Sequence, residues 1–198
     1  MGRYTVVITG ASGSVYGLRA IEQLLATGHE VTAMMTEAGR DVTAYETGFD
    51  LPAQQPEKAL LRFLELGKDV PLRVACASDL FDPIASGSHK VDGMVVVPAS
   101  MGFCSSVAHG AASDLPERAA DVMLKERRPL VLVPRETPLS LVHLRNLTAL
   151  AEAGAIVVPA MPAFYMHPET IDDQVSFVVG KVLDILGIEH GLFQRWGE

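Results

Sequence analysis

The chain has 198 residues but only two cysteines, Cys76 and Cys104, and they form no CxxC pair. A disulfide framework or a cysteine-built zinc site is therefore not expected. The histidines at 29, 89, 109, 143, 167 and 190 show no metal-ligand spacing, so no metal centre is expected either. No stretch reaches the roughly 18 uninterrupted apolar residues that a membrane helix needs. The first residues read directly into a strand, without a basic segment and long apolar run. Basic residues are in the minority, 16 against 24 acidic, giving a net charge of -8 and no long basic stripe. Nucleic acid is thus not an expected partner, although a local basic pocket is compatible with this balance. Aromatics make up 6%, with a single tryptophan, Trp196, whose expected use near the C-terminus is a subunit contact. These absences point to a cytoplasmic, reducing setting with no membrane partner.

What is abundant is apolar. Hydrophobic residues make up 48%, enough for one well-buried core and one domain over residues 1–198. Continuous apolar runs predict strands at Tyr4–Thr9, Glu30–Met35, Gly93–Val97, Leu130–Val133 and Ile156–Val158. Helical patterns fall at Val15–Ala26, Glu37–Thr47, about Ser140–Glu152 and Ile171–Leu186. Near-continuous Val, Ile and Leu runs separated by helices imply a doubly wound α/β fold around a mostly parallel sheet. The stretch Leu51–Val74 is the least regular. It carries Pro52, Pro56 and Pro71, and its segment Glu57–Leu66 reads as an amphipathic helix.

Polar loops fall where the predicted strands end. The turn Thr9-Gly10-Ala11-Ser12-Gly13-Ser14 follows a strand and opens a helix. Glycines there let the backbone approach an anion, and a helix N-terminus offers N–H groups and partial positive charge. The bland alternative is a tight turn that needs glycine for its shape alone. No Tyr is followed four residues later by Lys, and the second strand ends at Met34-Met35-Thr36 without an acid at its tip. Both argue against a dehydrogenase, the second only weakly because Glu37 is adjacent. A kinase-type GxxxxGK[ST] loop is absent.

The second loop, Pro98 to Ser106, gathers small residues and hydroxyls, with Ser100 and Ser105 as candidate cofactor ligands. Its ordinary reading is a serine helix cap. Ser86-Gly87-Ser88 is a third small polar turn. The charged run Glu117–Arg128 reads partly as the solvated face of a helix, with Arg118 and Lys125 seven apart on one side. Arg135-Glu136 sits at a strand end, where Arg can grip a phosphate and Glu can move a proton. The loop Pro159–Pro168 holds three prolines with Phe164 and Tyr165, which suits a flat or apolar ligand or a packed crossover. Lys181 lies on the helix that follows.

Together these segments resemble the UbiX family of flavin prenyltransferases. The matching stretches are TGASGSVYGLR, Glu46-Thr47, ASGS, the loop after VVVP, ERAADVMLKERRPLVLVPRETP, PAFY and the closing LFQRWGE. The resemblance spans about Thr5 to Trp196 in the same order, and the long ERAADV…LVPRE run is its most specific part. It implies a Rossmann-like or flavodoxin-like sheet, reduced FMN as cosubstrate and dimethylallyl phosphate as donor. It also implies a metal-independent reaction, a homododecamer with sites between subunits, and a product used by UbiD-type decarboxylases.

By position, the resemblance assigns FMN to Gly10, Ala11, Ser12, Thr36, Gly102, Phe103, Cys104, Ser105 and Arg135. Tyr165 and Lys181 match donor-phosphate positions, with Lys125 assisting and Arg118 on the same helical face. Ser12, Glu46 and Glu136 match groups that manage protons. Lys181 stands where several relatives carry Arg, which keeps the charge but loses the bidentate fork. Phe103-Cys104 replaces Thr-Leu of close relatives.

Two other readings compete. Flavin-dependent cysteine decarboxylases carry Pro-Ala-Met-Asn, but here Pro162 follows Pro159-Ala160-Met161. A non-catalytic flavoprotein would not need Glu46, Lys125, Arg135 and Glu136 together.

Overall fold

Short strands rich in Val, Ile, Leu and Met set up the fold by having no polar face to turn to water. In the computed structural model, which describes residues 1–195 and 197, they form one six-stranded parallel sheet. The strands are β1 (Arg3–Ile8), β2 (Glu30–Met35), β3 (Leu72–Val74), β4 (Gly93–Ala99), β5 (Leu130–Pro134) and β6 (Ile156–Val157), in the order β3-β2-β1-β4-β5-β6. That is the doubly wound order, which reverses between β1 and β4. Every residue of β4 and β5 is buried, as a strand covered on both faces requires.

The helices are α1 (Ser14–Ala26), α2 (Glu37–Thr47), α3 (Pro56–Phe63), α4 (Met101–Ala108), α5 (Leu115–Lys125), α6 (Leu141–Glu152) and α7 (Ile171–Ile185). Their starts are written locally. Thr36, Ser100, Asp114, Ser140 and Thr170 each accept a backbone N–H as N-caps. At Ser140 and Thr170 the bond is returned by His143 and Asp173, a reciprocal capping box.

The pleat divides the core into two layers. Val6 and Ile8 of β1 face Ile21 and Leu24 of α1 and Val178 and Leu183 of α7. Val7, one residue between them, faces the other way, toward Phe103 and Cys104 of α4 and Met123 of α5. Burying this much aliphatic side chain, at roughly 1.5–3 kcal/mol each, is the main force holding helices to the sheet.

Three elements differ from the sequence reading. The irregular stretch contains β3, three residues recruited by pairing with β2. The helix expected over Glu57–Leu66 starts at Pro56 and stops at Phe63. The segment after β4, read as a polar loop, is α4. The charged run also departs from a simple solvated face, because Glu117 is buried and closes the start of α5. It accepts from the Ser113 N–H at 2.7 Å and the Ser113 hydroxyl at 2.6 Å. Among the described residues, no helix is long and apolar enough to cross a membrane. Trp196 lies outside the described residues.

Candidate active site

The C-terminal ends of β1 and β4 lie side by side where the strand order reverses, the place at which open α/β sheets form their ligand crevice. The turn 9–13 and the start of α4 meet there, and Thr9 joins them. Its buried hydroxyl donates to the Pro98 carbonyl at 2.7 Å and accepts from the Ser100 N–H at 2.8 Å. On the other side, the Thr36 N–H donates to the Ile8 carbonyl at 3.1 Å, which brings the start of α2 against the turn. Gly10 permits this approach, since a Cβ there would stand 2.6 Å from that of Ala38.

The anion at the N-terminus of α1 is the chain's own. Glu46, in the last turn of α2, places its carboxylate there. It accepts from the Gly13 N–H at 3.0 Å, from the Ser14 N–H at 2.9 Å and from the Ser14 hydroxyl at 2.7 Å. Partial burial pushes the Glu46 carboxyl up. The hydroxyls of Ser12 and Ser14 and the two N–H groups outweigh it, and the group titrates below the ordinary glutamate value. The turn expected to meet phosphate thus also carries a carboxylate of the chain itself. While Glu46 is in place, the N–H groups of Gly13 and Ser14 are taken. Ser12, exposed at the rim, and Ala11, buried beneath it, complete the turn.

The matching helix end across the crevice is open. The Met101 and Gly102 N–H groups lie in the first turn of α4, where no helical carbonyl reaches them. Gly102 is exposed, and the nearest atom to a Cβ built on it would be Ser100 Oγ, at 4.0 Å. The Ser100 hydroxyl serves as the cap, accepting from the Phe103 N–H at 3.2 Å. Phe103 and Cys104 were expected as cofactor ligands, but their side chains point into the core. Burial pushes the Cys104 thiol up to about 12. Ser105 is half-buried on the next turn.

Arg135 is exposed just past β5 and crosses toward α1, its Cδ lying 3.7 Å from where a Gly13 Cβ would be. It also reaches the neighbourhood of Tyr16. Burial raises the phenol of Tyr16, and the Arg135 charge opposes that rise. Glu136 is exposed too, and its carboxylate accepts from the Thr137 N–H at 3.0 Å. The Thr36 hydroxyl accepts from the Gly39 N–H at 3.0 Å as a helix cap. Gly10, Ala11, Ser12, Thr36, Glu46, Ser100, Gly102 and Arg135 thus gather at one edge.

The remaining cations do not join them within one chain. Lys125 ends α5, which runs back to the start of β5, at the sheet's opposite edge. There it pairs with Glu126 beside Gly87. Arg128 donates to the carbonyls of Gly87 and His89, both at 2.7 Å, and fixes that loop. Arg118 donates to the Ala85 carbonyl at 3.1 Å and pairs with Asp121 at 2.6 Å. Tyr165 packs edge-on against Phe177, with centroids 6.1 Å apart. Lys181 lies along α7, its Nζ 3.5 Å from Asp184.

Sequence reasoning underrated Ser14, which makes two bonds to Glu46 where Ser12 was expected to dominate. Nothing in the sequence marks Asp184, which faces Lys181, and only the closing LFQRWGE marks Arg195, which donates to Asp184 at 2.7 Å.

Comparison with known proteins gives the chain its family. A family model described as Flavoprotein matches residues 2–183. Flavin prenyltransferase UbiX of Halalkalibacterium halodurans is 48% identical over 197 residues, covering 100% of this chain and 94% of that protein. A crystal structure of AnUbiX (PadA1) in complex with FMN and dimethylallyl pyrophosphate superposes with a TM-score of 0.89 at 37% identity, covering 100% of this chain and 98% of that one. A dodecameric FMN-dependent UbiX-like decarboxylase from Escherichia coli gives 0.87 at 38% identity, covering 99% and 100%.

Proposed function

The chain belongs to the UbiX family of flavin prenyltransferases, and from that premise we propose that it moves a dimethylallyl group from dimethylallyl phosphate to N5 and C6 of reduced FMN. The observation that carries this reading is the pair of helix starts joined through Thr9, that of α1 filled by Glu46 with Arg135 beside it, and that of α4 capped by Ser100 with Gly102 exposed. The residues fit a flavin nucleotide. Gly102 presents bare backbone at the open helix end, and Arg135 and the free N–H groups of Met101 and Gly102 suit its anionic part. FMN, as substrate, supplies the nucleophilic N5 and C6.

Transfer breaks the donor's C–O bond, and phosphate leaves with the electron pair. As N5 takes the allyl carbon it gives up its proton; closure then breaks the allyl double bond, one of its carbons taking a proton while the other bonds C6 and C6 gives its proton up. The chain's own groups answer each demand. Lys181, Lys125 and Arg118 are the cations for the departing phosphate, and fixed cations in a dry site stabilise developing charge. Tyr165 offers a π face to the allyl group. Glu136 is exposed at the strand end, where it can accept the proton. Glu46, held ionised by its four donors, faces any positive charge that develops in the crevice.

Lys125 and Lys181 lie away from the crevice of their own chain. Assembly is therefore part of the proposal, a dodecamer in which neighbouring copies complete each site. Exposed Leu141, Val142, Phe164 and Ile171 support such packing. The whole chain acts as one FMN-binding domain built on one sheet. It acts in the cytoplasm, in keeping with two free cysteines, and its product passes to a UbiD-type decarboxylase.

The test is phosphate release from dimethylallyl phosphate with and without reduced FMN. Release only with reduced flavin supports the assignment. Release at equal rates in both, or in neither, contradicts it.

A further inference from the structure

The segment after α7 folds back over that helix. Gly180 admits it, since a Cβ there would stand 2.4 Å from the Phe193 ring and 2.8 Å from His190. Docked in this way, Phe193 meets Phe177 with centroids 5.1 Å apart, and Phe177 in turn meets Tyr165. The three rings wall a cleft of about 670 Å³, which Arg195 lines together with two carboxylates, Glu169 and Asp173, the second of them engaged in the α7 capping box.

Asp184 binds this arrangement to Lys181. Its Oδ1 accepts from Arg195 at 2.7 Å and lies 3.2 Å from His190 Nε2, while its Oδ2 is 3.5 Å from Lys181 Nζ. One carboxylate thus holds two permanent cations, and the cluster remains cationic. A guanidinium has more donors than the single bond to Asp184 uses. If either cation turns to a ligand, Asp184 keeps the other and His190, so no charge is stranded. An aromatic wall beside a cationic cluster fits a molecule with a short unsaturated chain and a phosphate head.

We propose that Arg195 is a phosphate-binding residue of the donor site, held beside Lys181 by Asp184 in a cleft whose aromatic wall takes the allyl chain. This rests on the prenyl-transfer reading, with the phosphorylated donor as ligand. It gives the closing segment a function: Phe193 supplies part of the wall, and Arg195 supplies the planar fork that Lys181 lacks.

The test titrates inorganic phosphate into the FMN-loaded protein by calorimetry and measures donor KM and kcat in the same preparations. Arg195→Ala should raise the phosphate Kd and the donor KM about tenfold, the loss of one charge-assisted hydrogen bond. Its kcat should stay within about twofold and its FMN affinity should match wild type, as expected when uniform binding is lost. Arg195→Lys should restore part of the loss, and Arg195→Gln replaces the alanine variant if that one misfolds. Wild-type phosphate affinity and KM in the Ala or Gln variant would overturn the assignment. If wild type forms no prenylated flavin, the reading of the reaction falls, and the phosphate titration alone decides on Arg195.

Discussion

Ser14 gives both its N–H and its hydroxyl to Glu46, at 2.9 and 2.7 Å, across 32 residues of chain. The bond pair ties the end of α2 to the start of α1 and fills a helix N-terminus with a carboxylate. Loss of the charge should show as a change in acid stability. The folded Glu46 carboxyl titrates below its ordinary value, so its contribution is full above the unfolded value. It is lost as pH falls through the lower folded one. Glu46→Gln should therefore be less stable than wild type at neutral pH, by no more than roughly 1 kcal/mol given rim exposure. The gap should close as the medium is acidified through the carboxylate range. Chemical denaturation across pH checks this, and a gap that stays constant would remove the charge from the explanation.

Arg135 is an exposed cation whose side chain reaches the turn at Gly13. Arg135→Ala should weaken FMN binding about 10- to 100-fold, the scale of one or two charge-assisted bonds. The fold should be unaffected, because the side chain is at the surface. Flavin fluorescence titration together with far-UV circular dichroism separates the two effects.

The two thiols should differ sharply. Cys76 is exposed, and the hydrogen bonds from Ser78, with help from Arg40, lower its thiol against opposing burial and Asp79. Cys104 is fully buried and pushed up to about 12. A thiol reagent at pH 8 should modify one cysteine per native chain and two after unfolding. Rapid modification of Cys104 in the native chain would mean that α4 opens readily.

Gly10→Val should fail at the contact with Ala38, where a Cβ would already sit 2.6 Å away. Forcing β1 and α2 apart should cost about 1–3 kcal/mol and lower FMN affinity together with stability. Thermal melting and flavin titration of the same variant check this.

Much of this architecture is legible in the sequence for reasons tied to particular residues. Glu30–Met35 and Glu37–Thr47 match their predicted bounds because an apolar run and a threonine cap are local facts. The helix α4 is hidden because Gly102, Ser105 and Ser106 read as loop. What makes it helical is the burial of Phe103 and Cys104 against strands far away in the chain. Glu46 was singled out, but its placement on α1 is a tertiary fact that no spacing encodes. Lys125 is tied to the donor only by the resemblance, since no spacing tells which end of the sheet the last residue of α5 reaches. The link from Lys181 through Asp184 to Arg195 needed the fold-back over Gly180, which composition does not announce.

The central claim is that this crevice builds a prenylated flavin. The most direct test is the mass of the flavin after the protein is incubated with reduced FMN and dimethylallyl phosphate. A gain of one five-carbon unit on FMN is the predicted result. An unchanged flavin mass, with the protein shown to bind FMN, would contradict it.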